Sequence, residues 1–177
     1  MCDGYSSPVG IDEERNSGII WPGFWRDATG YLTKYRLGYH TGADLNLDEP
    51  KLNSDRGMPV YSIADGEVTS AGYLGDSWGR VIVIKHKPLP DGTPIYSRYG
   101  HVENIEVKAG DLVERGQQIA TIGLFGSVKV QNYHLHFDIS CTDILGTKPG
   151  HWPGRKLDEF KTHYVDPKLF LQEHNTI

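Results

Sequence analysis

The chain is poor in several features that mark large classes of protein. Two cysteines in 177 residues, Cys2 and Cys141, are too few for a disulfide framework, and neither belongs to a Cys-x-x-Cys pair that would suggest structural zinc or redox chemistry. They read as ordinary thiols, with a mutual disulfide or a lipid anchor on Cys2 as the alternatives. No stretch approaches the ~20 apolar residues of a membrane-spanning helix, so no membrane span is expected. The start Met1-Cys2-Asp3-Gly4 lacks the basic and apolar regions of a signal peptide. An exported form would therefore have shed its signal. Positive charge is scarce too: 18 Lys and Arg stand against 23 Asp and Glu, for a net charge of -5. With no dense basic cluster, nucleic acid is excluded as an expected partner.

Helix formers also lack long runs, whereas 21 Gly and 10 Pro are spread along the chain. That balance favours short strands and tight turns. A hydrophobic content of 38% is high enough to exclude general disorder, and the length suits one core and one cleft. Residues 1–33 read as an irregular arm packed on the core, interrupted by Gly4, Pro8, Gly10, Gly18, Pro22 and Gly23. Its Trp21, Phe24 and Trp25 read as anchors first and as groove lining second. Residues 34–177 read as the main domain, mainly β. Candidate strands are Glu67–Tyr73, Arg80–His86, Ile95–Tyr99, Gln117–Ile122 and His134–Ile139, separated by turns such as Asp65-Gly66, Gly75-Asp76 and Asp91-Gly92. An antiparallel sheet or sandwich follows, with little helix. The segment from Cys141 to His163 reads as loop, and Asp166 to Leu171 as a short closing helix with Pro167 in its first turn.

The most informative stretch is Tyr133-His134-Leu135-His136-Phe137-Asp138-Ile139, where polar and apolar residues alternate. With a period of two, His134 and His136 share one strand face while Leu135, Phe137 and Ile139 take the core face. Two imidazoles on a rigid base suit a metal site, although a lone His-x-His pair also suits a solvated strand face. In Gly38-Tyr39-His40-Thr41-Gly42-Ala43-Asp44-Leu45-Asn46-Leu47, the glycine and the Leu45/Leu47 alternation indicate a turn running into a strand. His40 and Asp44 can converge across that turn, or be an exposed His and a turn-capping Asp. In Tyr99-Gly100-His101-Val102 the imidazole sits at the rim of a sheet. Asp138 shares a face with His136 and could orient it. His86 ends an apolar run and reads as a satisfied structural residue, and His151, His163 and His174 as surface residues.

Together these segments resemble the M23, or LytM/lysostaphin-like, zinc endopeptidases that cut peptide cross-links of bacterial peptidoglycan. His40-Thr41-Gly42-Ala43-Asp44 is similar to the family's His-x-Gly-x-Asp pattern, His134-Leu135-His136-Phe137 to its His-Leu-His-Phe pattern, and Tyr99-Gly100-His101-Val102 to its Tyr-x-His-Leu/Val pattern. Gly57-Met58-Pro59-Val60, Ala64-Asp65-Gly66-Glu67-Val68 and Gly116-Gln117-Gln118-Ile119 look similar as well, so the resemblance runs from about Tyr39 to Leu171. Val130-Gln131-Asn132-Tyr133 departs from it, where family members usually carry Gly or Thr-Gly-Pro. The resemblance implies the LytM-like (duplicated hybrid motif) fold with long groove-forming loops. It implies that His40, Asp44 and His136 bind one zinc per chain and that His134 and His101 are catalytic through a zinc-activated water. The implied partner is the peptide stem or cross-bridge of peptidoglycan, which puts the protein outside the cytoplasm, in the cell envelope, periplasm or medium. Three protein ligands would leave a fourth position open, as in catalytic zinc sites. The competing readings are a non-catalytic wall-binding or regulatory module on the same fold, a lipoyl- or biotin-type carrier (suggested by Val107 to Gly123, but without a suitably placed Lys), and a metalloesterase or amidase.

Overall fold

The alternation and turn signals above produce a sheet whose two faces are both covered. The structure, a computed structural model, describes residues 4–125 and 132–175. Along these the chain forms α1 (Asp12–Arg15), β1 (Arg26–Thr29), β2 (Lys34–Tyr35), β3 (Gly38–Tyr39), β4 (Ala43–Asn46), β5 (Pro59–Tyr61), β6 (Gly66–Tyr73), β7 (Arg80–His86) and β8 (Ile95–Glu103). It continues through β9 (Leu112–Val113), β10 (Gln118–Ile122), β11 (Leu124–Phe125), β12 (Asn132–Tyr133), β13 (Leu135–Ser140), α2 (Ile144–Thr147), α3 (Leu157–His163), β14 (Tyr164–Val165) and α4 (Pro167–His174). The main sheet has ten strands in the order β1-β4-β13-β8-β7-β6-β9, with β10 joining β5 to β8 and β14 flanking β13. Its strand pairs are antiparallel. β2/β3 and β11/β12 form two separate ribbons. The fold is mainly antiparallel β with short helices, as the sequence leads one to expect.

Period-two alternation sorts the side chains. Ile82, Ile84, Ile95, Tyr99, Leu135, Phe137 and Ile139 turn into the larger core, together with Leu45, Ile63 and Ile119. Each such aliphatic or aromatic side chain contributes about 1.5–3 kcal/mol by burial. Val81, Val83 and Tyr96 turn the other way, where Leu145 of α2 and Tyr164 of β14 cover them. Because of that second layer, every residue of β13 and all but the last of β8 are buried.

Several differences from the sequence reading have local causes. The 141–163 segment carries two short helices; α3 has one buried side chain, Phe160, and so shows no apolar period to read. The first 33 residues include α1 and the edge strand β1, which pairs with β4. Trp25 is buried, and Trp21 meets Phe137 edge to face with ring centroids 6.5 Å apart, so both are anchored on the core side of β13. Phe24 is exposed. Cys141 is half-buried, while Cys2 and the Val130-Gln131 part of the departing stretch lie outside the described residues.

Candidate active site

Three strands deliver the site. In the β13/β4 pair His136 stands directly opposite Asp44, and in the β13/β8 pair it stands opposite Gly100. Paired residues on adjacent antiparallel strands project side by side, so Asp44 and His136 meet by register alone. The turn before β4 adds His40. Gly42 lets that turn press against β13: a Cβ there would lie 2.1 Å from the Phe137 carbonyl oxygen and 2.5 Å from Asp138 Cβ. The glycine of His40-x-Gly42-x-Asp44 is therefore demanded by packing.

The three side chains converge on one point. His40 Nε2 lies 2.9 Å from His136 Nδ1 and 2.9 Å from Asp44 Oδ1, and the third edge, from His136 Nδ1 to Asp44 Oδ1, is 3.0 Å. A tetrahedral ion with bonds of about 2.0–2.1 Å needs ligand atoms roughly 3.3 Å apart, so the triangle is close to one tetrahedral face. The outward ring nitrogens fix the tautomers. His40 Nδ1 donates to the Gly42 carbonyl at 2.9 Å, and His136 Nε2 to Asp138 Oδ2 at 2.9 Å, which turns a lone pair from each ring toward the centre. Two imidazole nitrogens and one carboxylate oxygen are a donor set that suits zinc.

Electrostatics support a cation here. Burial pushes the Asp44 carboxyl up, but hydrogen bonds from His136 and His40 outweigh it and hold the group well below the usual carboxylate range. Burial opposes charge on His136 as well, yet its bonds to Asp138 and Asp44 raise it to about 9. The surplus of carboxylate charge that favours a proton there favours a divalent cation for the same reason.

Two further imidazoles face the triangle. His134 occupies the break between β12 and β13, with Nε2 3.6 Å from Asp44 Oδ1. Burial, reinforced by His136 and His40 against the pull of Asp44, lowers it to about 4. His101 is the extra residue of a bulge: Arg80 pairs with Val102 and Val81 with Gly100, leaving His101 unmatched with φ 61°. A bulge in the left-handed region re-aims a side chain, and here it turns the imidazole toward His134, with ring centroids 4.8 Å apart. His101 Nδ1 donates to the Trp78 carbonyl at 3.1 Å. Burial and its histidine neighbours hold it well below its ordinary value. Both imidazoles are thus neutral proton acceptors at neutral pH. They line a cleft of about 500 Å³ whose walls include Tyr35, Leu37, Trp78, Phe125 and Trp152.

The model described as peptidase family M23 matches residues 38–146, well over half of the chain. The chain belongs to peptidase family M23. Over 83 residues, 47% of its length, this M23 chain is 39% identical to the peptidoglycan DD-endopeptidase ShyB of Vibrio cholerae, of which the match covers 18%. Over 115 residues, 65% of its length, it is 30% identical to the murein hydrolase activator NlpD of Escherichia coli, of which the match covers 27%. It spans about a quarter or less of the length of these two relatives. Among solved structures it is similar to the catalytic domain of the antimicrobial peptidase lysostaphin from Staphylococcus simulans, with 27% identity and a TM-score of 0.58, over 84% of this chain and 92% of that one.

Within this M23 chain the structure brings together all five sequence candidates, His40, Asp44, His101, His134 and His136. His86 stands apart at the far end of β7, with Nδ1 2.9 Å from the Asp65 carbonyl and Nε2 2.7 Å from Ser97 Oγ. His151 and His163 are partly covered rather than free on the surface. The Nδ1 of His151 lies 3.0 Å from the Tyr164 hydroxyl, and that of His163 lies 2.8 Å from Thr142 Oγ1. Sequence reasoning missed Arg98, Thr41 and Trp78. Arg98 and Asp138, opposite charges on neighbouring strands, were the available signal for the first.

Proposed function

We propose that the chain is a zinc-dependent endopeptidase that hydrolyses peptide cross-links of bacterial peptidoglycan, with His40, Asp44 and His136 holding one zinc ion per chain. The observation that carries the reading is the triangle of two ring nitrogens and one carboxylate oxygen, with edges of 2.9, 2.9 and 3.0 Å, in a member of a peptidase family. When bound, zinc polarises a carbonyl and brings the pKa of a coordinated water to about 7. The protein's own residues do the proton work. His134, neutral and beside the triangle, accepts a proton as water adds to the peptide carbonyl carbon. When the C–N bond breaks, that proton goes to the leaving nitrogen, which departs as an amine. His101 holds its Nδ1 proton on the Trp78 carbonyl and turns Nε2 to the cleft, where it orients the water or shares the proton. The aromatic walls exclude bulk water and grip the peptide. A peptidoglycan substrate places the working protein outside the cytoplasm.

The likeness to an activator, NlpD, favours a second reading, a non-catalytic regulator on the same fold. The retained donor triangle and both imidazoles weigh against it. Purified protein is expected to carry about one zinc per chain, to lose it in His136→Ala, and to keep it in His134→Ala while hydrolysis falls by about 10²-fold or more. Incubation with purified peptidoglycans of differing cross-link chemistry, read by mass spectrometry, should reveal a new free amine at a cross-bridge. Zinc-loaded protein that releases no product from any wall would establish the regulator instead.

A further inference from the structure

The ring of His136 is held from behind by an assembly that reaches beyond the proposed zinc site. Its Nε2 lies 2.9 Å from Asp138 Oδ2 and 3.2 Å from Thr41 Oγ1, and Thr41 Oγ1 donates to the same Asp138 oxygen at 2.7 Å. Arg98 grips both oxygens of that carboxylate: Nε donates to Oδ1 at 3.1 Å and Nη2 to Oδ2. The third nitrogen, Nη1, turns the opposite way and donates to the carbonyls of Pro149 and His151 at 2.9 Å each. The His151 carbonyl immediately precedes Trp152, a wall of the cleft, and the Pro149 carbonyl lies three residues before it. The guanidinium carbon also stacks 3.9 Å from the ring centre of Trp78, another wall residue. Arg98 and Asp138 are both fully buried.

We infer that Arg98 is a positioning residue that ties the orientation of His136 to the shape of the cleft wall, acting through Asp138 on one side and the 149–152 loop on the other. The inference rests on the metal-site reading above. A buried ion pair is a weak source of stability, because apolar side chains of similar volume often serve as well. Its use lies in geometry. The planar fork of arginine bonds a carboxylate edge-on while a separate nitrogen serves two carbonyls, which a lysine ammonium, a single point of charge, cannot reproduce. Strand register supplies the alignment, since Arg98 and Asp138 are direct partners in the β8/β13 pair.

The test uses the full chain and four variants, Arg98→Lys, Asp138→Asn, Thr41→Val and Trp152→Ala. Zinc affinity is measured by competition with a chromophoric chelator, KM and kcat on a cross-linked peptide, and folding by thermal melting. Asp138→Asn and Thr41→Val should weaken zinc binding, the first by about 10–100-fold, with KM unchanged. Trp152→Ala should raise KM and leave zinc affinity alone. Arg98→Lys should do both. Arg98→Lys that melts at a lower temperature yet keeps wild-type zinc affinity and KM would reduce Arg98 to a structural role and overturn the inference. Should that variant not fold, unchanged zinc affinity in Asp138→Asn overturns it equally. A wild-type chain that binds no zinc would overturn the metal-site reading itself.

Discussion

Gly42 shows how much of the site depends on one missing methyl group. Adding a Cβ would place it 2.1 Å from the Phe137 carbonyl oxygen, far inside van der Waals contact, and would force the turn between His40 and Asp44 off β13. Gly42→Ala should therefore cost about 1–3 kcal/mol in chemical denaturation and weaken zinc binding in the same variant. Wild-type values for both would mean that the turn has slack. His86 carries a separate prediction. Burial holds it at about 4 against an ordinary 6.5, so the folded protein keeps it neutral while the unfolded chain takes up a proton below pH 6.5. Its contribution is present above pH 6.5 and is lost as pH falls toward 4, by about 3 kcal/mol at most. Urea denaturation at pH 7.5 and pH 5 should show this loss, and His86→Gln should show a smaller one. The sequence made the His134/His136 pair legible because alternation puts both on one face. Arg98 stayed hidden because a lone arginine in a strand usually means a solvated face, and only the neighbouring strand reveals its partner.

Secondary-structure elements were legible in proportion to their length and period. Arg80–His86 matches residue for residue, and Glu67–Tyr73 and Gln117–Ile122 differ by one position at one end. The strand expected at Ile95–Tyr99 continues to Glu103, because the His101 bulge absorbs an extra residue that reads as a strand end. α4, expected from Pro167 in its first turn, runs three residues beyond Leu171 to His174, and the structure adds a cap at its start. Asp166 Oδ1 accepts from the Lys168 and Leu169 amides at 2.9 and 3.3 Å, and Pro167 follows as the first helical residue. Asp166→Ala should cost about 1 kcal/mol in thermal or chemical unfolding, as expected for a lost N-cap. Asp166→Asn should recover most of it. The two-residue strands had no such signal, since two residues cannot display a period and their place depends on partners far away in the chain.

At the scale of the molecule, Gly-rich turns and alternating strands specify an antiparallel sheet, whereas the second layer from α2 to β14 comes from irregular sequence whose burial only the folded sheet explains. A ligand that binds only the folded state adds stability by mass action. Zinc at about 100 times its dissociation constant should add roughly 2.7 kcal/mol, seen as a higher melting temperature that a chelator reverses and that His136→Ala abolishes. The separation of the proposed metal ligands extends this point to biosynthesis. His40 and His136 are 96 positions apart, and their strands become neighbours only through the β4/β13 pairing. During translation, a chain that has not yet extended through β13 lacks His136, one of the three donors, however well its earlier strands have collapsed. On the proposed zinc-peptidase reading, ion capture would be a late checkpoint in maturation, and cleavage would begin only after nearly the whole sheet is in place.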